Sequence, residues 1–182
     1  MNISTNVLMH ALKFYSGKGY APIDVPLLVD LDVSAHTKPK GVPELYHDKG
    51  KVYVASAEQS FIQLYKEGKL SDGMYMAVTP CYRHERTVSD THYLMFMKLE
   101  LIVVGVAFQH SDKVVSEVVS HAKEFFTSQK IDINMWGNPS DQVDLYSQDG
   151  EIEYGSYGYR LMPDGVTGYV YGTGCAFPRV SL

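Results

Sequence analysis

The chain has 182 residues, of which 45% are hydrophobic, and carries 16 basic against 21 acidic side chains for a formal net charge of −5. That length and apolar fraction suit one compact domain with a real core. The acidic balance excludes a large sequence-independent nucleic-acid surface, which needs clustered Lys and Arg, although one or two arginines still suffice for local phosphate binding.

The N-terminus lacks the basic start and apolar run of a signal peptide, and no apolar stretch reaches membrane-span length. Residues 5–15 place Val7, Leu8, Ala11, Leu12 and Tyr15 on a helical period, with Ser4 or Asn6 as cap and Gly17 or Gly19 as stop. Residues 20–29 read as extended, with Pro22 and Pro26 restricting the backbone, and 30–51 as a long polar loop of the kind that often carries function. A short strand is expected at 51–55, a helix at 59–66 closed by Gly68, and strands at 74–82 and 93–107 around a charged hairpin loop at 83–91. A helix follows at 114–126 with Val115, Val118, Val119, Ala122 and Phe126 on one side. Short strands are expected at 129–136, 142–146 and 169–171, an acidic hairpin at 149–156, and a glycine-rich turn at the end. Cys81 and Cys175 form no CxxC pair and have no histidine at zinc spacing, so they read as reduced core residues of a cytoplasmic protein. With no repeat and no linker, the pattern predicts a single α+β domain over 1–182, an antiparallel sheet of about six strands flanked by helices.

The richest stretch runs from Cys81 to Glu100. A strand ends in Arg83-His84-Glu85, a polar loop follows, and a second strand brings His92, Phe96 and Glu100. An arginine fork grips phosphate well; a carboxylate two residues on shares its strand face and can accept from an adenine amino group; an aromatic ring across the hairpin can stack on the base. Arg-x-Glu alone is also what a charged, solvated hairpin looks like.

The spacing resembles motif 2 of the class II aminoacyl-tRNA synthetases. That resemblance implies Tyr82 as the leading aromatic, Arg83 as the α-phosphate ligand, Glu85 on the adenine side, His92 in the loop, Phe96 under the adenine and Glu100 as the late acid. The Arg83-to-Phe96 offset is that of the aspartyl type. Thr91 and Met95 depart from the usual Arg and Glu, and Arg86 is the candidate substitute for the first. Gly172-Thr173-Gly174-Cys175-Ala176-Phe177-Pro178-Arg179 resembles motif 3, which implies backbone approach to ATP at Gly172 and Gly174 and a triphosphate contact from Arg179; Ala176 replaces the third glycine.

Glu153, Ser156 and Arg160 keep the spacing of the Glu-x-x-Ser-Gly…Arg segment of aspartyl-type members, and the stretch is similar to one in the ammonia-dependent asparagine synthetase. The resemblance implies ATP-linked Mg2+ at Glu153 and Ser156, and a substrate carboxylate at Arg160. The plain alternative for Arg160 is a surface ion pair bracing a hairpin. Pro26 resembles the dimer-interface proline of motif 1. Ser56-Ala57-Glu58 resembles the loop whose acid receives the substrate's α-ammonium, and Glu58 reads equally well as a first-turn acid behind a Ser56 cap. Lys38 resembles the aspartyl enzymes' carboxylate-binding lysine or is an exposed loop lysine.

The implied activity is ATP-dependent formation of an aminoacyl adenylate from aspartate or asparagine, with Arg83 and Arg179 as catalytic residues, in a cytoplasmic homodimer. No anticodon-binding domain is expected within the chain, and the charge disfavours independent tRNA recognition. The alternative is a non-catalytic paralogue that binds nucleotide or amino acid.

Overall fold

The computed structural model describes residues 4–48, 50–84 and 93–177. A mostly antiparallel sheet of seven strands is sandwiched between two unequal layers. The strands are β1 (Ala21–Pro22), β4 (Gly73–Tyr82), β5 (Met95–Val104), β9 (Gly168–Phe177), β8 (Glu153–Leu161), β7 (Gln142–Tyr146) and β6 (Asn134–Gly137), given in spatial order. Among the described residues, only the β1–β4 pairing is parallel.

Helices α1 (Thr5–Gly17) and α4 (Ser111–Ser128) cover one face of the sheet. Their apolar residues recur at intervals of three and four, the spacing that builds one buried stripe. Val7, Leu8, Ala11 and Tyr15 of α1 and Val115, Val118, Val119, Ala122, Phe125 and Phe126 of α4 meet Met76, Leu99, Leu101, Tyr157 and Val170 of the sheet. Full burial of each phenylalanine in this layer contributes about 1.5–3 kcal/mol.

The opposite face carries α2 (Leu31–Thr37), α3 (Ala57–Lys66) and a two-stranded ribbon of β2 (Leu28–Asp30) with β3 (Lys51–Tyr53). Phe61 and Ile62 of α3, Val33 of α2, and Val29 and Val52 of the ribbon pack on Ala77, Ile102 and Tyr169. This layer does not cover the whole face, and the uncovered part is the floor of the site.

Four expectations need correction. The loop expected at 30–51 contains α2, held by Gln59, whose amide donates to the Ser34 carbonyl and hydroxyl at 3.4 and 3.1 Å. The acidic hairpin expected at 149–156 yields to β8 from Glu153 onward. The final glycine-rich turn is instead the continuation of β9, ten residues rather than three. The strand expected at 129–136 is confined to Asn134–Gly137, because the chain leaves α4 through Lys130 at a positive φ of 60°. Among the described residues, no helix is long and apolar enough to cross a membrane.

Candidate active site

A cavity of about 480 Å³ lies between the sheet, the first turn of α3 and the 37–45 segment. Strand alternation supplies its floor: side chains two apart share a face, which places Lys98 and Glu100 of β5 and Tyr171 and Thr173 of β9 on the cavity side. On β8 the register slips by one residue where Leu145 and Tyr146 pair with Gly155 and Glu153. Glu153 and Ser156 are three apart and would face opposite ways in a regular strand; this irregularity lets both line the cavity.

At one end, α3 begins at Ser56, whose hydroxyl accepts from the Glu58 amide at 3.2 Å. The Ser56 hydroxyl in turn donates to Glu100 at 2.7 Å, the Ala57 amide donates to the other Glu100 oxygen, and Lys98 holds that carboxylate from 2.8 Å. Glu100 is thus a cap supplied by the sheet, an anion at the positive end of the helix. Glu58, in that first turn, is met by Arg160 of β8. One guanidinium nitrogen donates to both Glu58 oxygens at 2.9 and 3.0 Å, and the Tyr169 hydroxyl donates to Oε1 at 2.8 Å. Burial pushes the Glu58 carboxyl up, opposed by the Arg160 charge and the Tyr169 hydroxyl; burial pulls Arg160 down, but the Glu58 charge and hydrogen bond together with Tyr171 and Tyr169 outweigh it and leave Arg160 raised. Arg160 therefore stays cationic.

The wall of the 37–45 segment is tied down by a second pair. Lys38 lies 2.5 Å from Glu44, with side chains only 16% and 9% exposed, and the Ser34 hydroxyl donates to Glu44 at 3.1 Å. Lys38 is therefore not an exposed loop lysine but a cavity-lining one. Arg83, which also lines the cavity, follows β4, its amide donating to the Leu94 carbonyl at 3.0 Å and its guanidinium 5.0 Å from the Phe96 ring centroid. Phe96 is buried beneath it and does not line the cavity.

The sequence matches the family model described as "tRNA synthetases class II (D, K and N)" over residues 1–154. The chain belongs to the class II aminoacyl-tRNA synthetases.

Solved structures of class II enzymes share its fold. A cytoplasmic serine-tRNA ligase from Naegleria fowleri in complex with AMP superposes with a TM-score of 0.77 at 17% identity, over 95% of this chain and 46% of that one. Seryl-tRNA synthetase from Pyrococcus horikoshii complexed with ATP gives 0.75 at 17% identity, over 93% and 47%. PylSc, a pyrrolysyl tRNA synthetase from Desulfitobacterium hafniense, gives 0.71 at 14% identity, over 96% and 64%. The chain therefore spans between about half and two thirds of the length of these structures.

In this synthetase core the cavity gathers Lys38, Glu58, Arg83, Glu153, Ser156 and Arg160 from the expected set. Glu85, His92 and Arg179 lie outside the described residues. Gly172 and Gly174 do not line the cavity. A Cβ at Gly172 would meet Tyr157 and Val118 at 2.7 and 2.9 Å, and one at Gly174 would meet Leu99 and Tyr15 at 2.5 and 2.9 Å. The absent side chains make room for the helix layer. Sequence reasoning missed Glu44, Lys98, Tyr169 and Tyr171 as cavity or second-partner residues. The period-two run Tyr169, Tyr171, Thr173 was the available signal for β9; nothing local marks Glu44.

Proposed function

We propose that this class II core joins ATP to an α-amino acid as an aminoacyl adenylate, and that the amino acid is aspartate, with asparagine second. The Glu58–Arg160 pair carries this reading: an acid and a cation side by side, in a cavity that Arg83 also lines. Aspartate presents the complementary charges. Its ammonium takes Glu58 and its side-chain carboxylate takes Arg160, so one ion pair becomes two and the α-carboxylate is left as the one added charge. An apolar side chain offers Arg160 nothing, and a half-buried arginine, its side chain 37% exposed, deprived of its partner costs about 1–3 kcal/mol.

The α-carboxylate then points toward the Arg83 end, where its oxygen attacks the α-phosphorus of ATP. The new P–O bond forms as the bond to pyrophosphate breaks. Arg83 offsets charge on the phosphate, and the fixed floor of the cavity supplies orientation, so no protein nucleophile is required. ATP takes Arg83 from the face of Phe96, which leaves that ring for the adenine. Glu153 and Ser156 offer two hard oxygen donors on the cavity face. That fits Mg2+, which takes one or two protein oxygens and fills its shell with water and phosphate. When bound, the ion neutralises phosphate charge. A homodimer formed through the Pro26 region belongs to the same proposal.

Exchange of radiolabelled pyrophosphate into ATP, driven by one amino acid at a time, tests the reading. Aspartate, and more weakly asparagine, is expected to drive it. Exchange driven by an apolar or cationic amino acid contradicts the substrate assignment. Binding of ATP and aspartate without exchange makes the chain a binding paralogue.

A further inference from the structure

We infer that Tyr171 is a positioning residue for the substrate carboxylate, acting by holding the Arg160 guanidinium flat against its ring. The inference rests on the proposal that Arg160 faces the side chain of aspartate. The guanidinium carbon lies 4.3 Å from the Tyr171 ring centroid, within the range of a cation–π contact, which strengthens where water is excluded. Glu58 fixes one nitrogen of the fork from the side, and the ring fixes its plane. An arginine held at two points loses less freedom when it receives a carboxylate than one that swings freely.

The ring is itself held in place. Arg160 pairs with Tyr169 across the strands, and Gly158 pairs with Tyr171. A Cβ at Gly158 would lie 2.7 Å from the Tyr171 hydroxyl and 3.0 Å from two of its ring carbons. The ring therefore lies across the bare backbone of Gly158, two residues before Arg160 on the same strand face. The hydroxyl donates to Gln142 Oε1 at 3.2 Å, and the Gln142 amide nitrogen donates to both oxygens of Asp144 at 2.9 and 3.1 Å, which sets which way that amide points. Glycine at 158 is not required by backbone conformation, since its φ lies outside the left-handed region; it is required by the ring.

Calorimetric titration of the full 182-residue chain with aspartate, and separately with ATP, tests this. Tyr171→Leu is expected to weaken aspartate roughly tenfold, the scale of a desolvated cation–π contact, with ATP affinity and Tm held. Tyr171→Phe keeps the ring and restores affinity to within about threefold of the starting chain, the worth of one neutral hydrogen bond. Gly158→Ala, which lifts the ring, weakens aspartate in the direction of Tyr171→Leu. In an Arg160→Leu background, Tyr171→Leu adds nothing, because the two act as one unit. Wild-type aspartate affinity in Tyr171→Leu, alongside its loss in Arg160→Leu, overturns the role of Tyr171 and leaves that of Arg160 standing. Aspartate affinity unchanged by Arg160→Leu, or absent from the unmutated chain, overturns the underlying substrate reading and this inference with it.

Discussion

Glu58 and Arg160 stand 102 residues apart in the chain and meet at 2.9 and 3.0 Å across the first turn of α3 and strand β8. The pair joins the two layers that enclose the cavity, so its strength is a property of both the fold and the site. The Glu58 side chain is 11% exposed and that of Arg160 is 37% exposed. Removing one partner of a fully buried pair costs 3–5 kcal/mol, and the solvent at Arg160 reduces that. Glu58→Ala is therefore expected to destabilise the chain by about 1–3 kcal/mol, lowering Tm by roughly 2–4 °C per kcal/mol for a chain of this size. Glu58→Gln retains an acceptor for Tyr169 and recovers part of the loss. Urea unfolding that does not distinguish Glu58→Ala from the parent chain contradicts this account of the pair.

Glu100 holds the start of α3 from the sheet and neutralises Lys98. Glu100→Ala removes the acceptors of the Ser56 hydroxyl and the Ala57 amide and leaves Lys98, only 12% exposed, without that counter-charge. A loss of about 2–4 kcal/mol is expected. Hydrogen exchange locates the effect: protection falls at Glu58 and Gln59 before it falls in α4. Unchanged protection at the α3 N-terminus refutes the capping role.

Asp30 supplies the pH dependence. Hydrogen bonding from the Lys51 ammonium, with Lys66 and Gln63, pulls its carboxyl down to about 2 against some cost of burial. A depressed folded-state value means the stabilisation is full above the ordinary aspartate range, near 4, and is lost as pH falls toward about 2. Asp30→Asn is expected to be less stable than the parent at pH 6, with the gap closing through that acid window. High salt narrows the gap at pH 6, because these groups are partly exposed. A gap that persists at the acid end points to side-chain packing rather than charge.

Arg83 and Phe96 form the nucleotide end in the proposed mechanism. Arg83→Ala and Phe96→Ala are each expected to weaken ATP by about 1–3 kcal/mol, the scale of a charge-assisted contact and of a base–aromatic stack. Calorimetry showing parental ATP affinity in both variants, with the fold intact, removes the nucleotide from this end of the cavity.

The sequence makes the fold legible where periodicity is strong. The stripes of α1 and α4 and the paired strands β4 and β5 follow from the spacing of their apolar residues. It hides β8 and much of β9, because Gly155, Gly158, Gly172 and Gly174 have low strand propensity and look like turn residues. Their reason is packing: Gly158, Gly172 and Gly174 leave room for a ring or aliphatic side chain from a neighbouring element, and Gly155 for Thr173 of β9 and Tyr157 of its own strand. Helix α2 is equally hidden, being seven residues with two of them buried, too short for a period to show, and fixed by Gln59 from another helix. Motif spacing singles out Glu58, Arg83, Glu153, Ser156 and Arg160, and all five line the cavity. It cannot find that Glu58 and Arg160 pair with each other, or that Lys38 pairs with Glu44, because contacts between distant segments leave no local mark.

In the proposed reaction the cavity activates aspartate with ATP, and Arg160 reads the side-chain carboxylate. Pyrophosphate exchange by the parent chain and by Arg160→Leu, with aspartate at saturating ATP, tests it most directly. Exchange is expected from the parent chain and lost in Arg160→Leu, with ATP binding retained in both. Equal aspartate-driven exchange by the two proteins, or exchange by the parent chain with an apolar amino acid in place of aspartate, contradicts it.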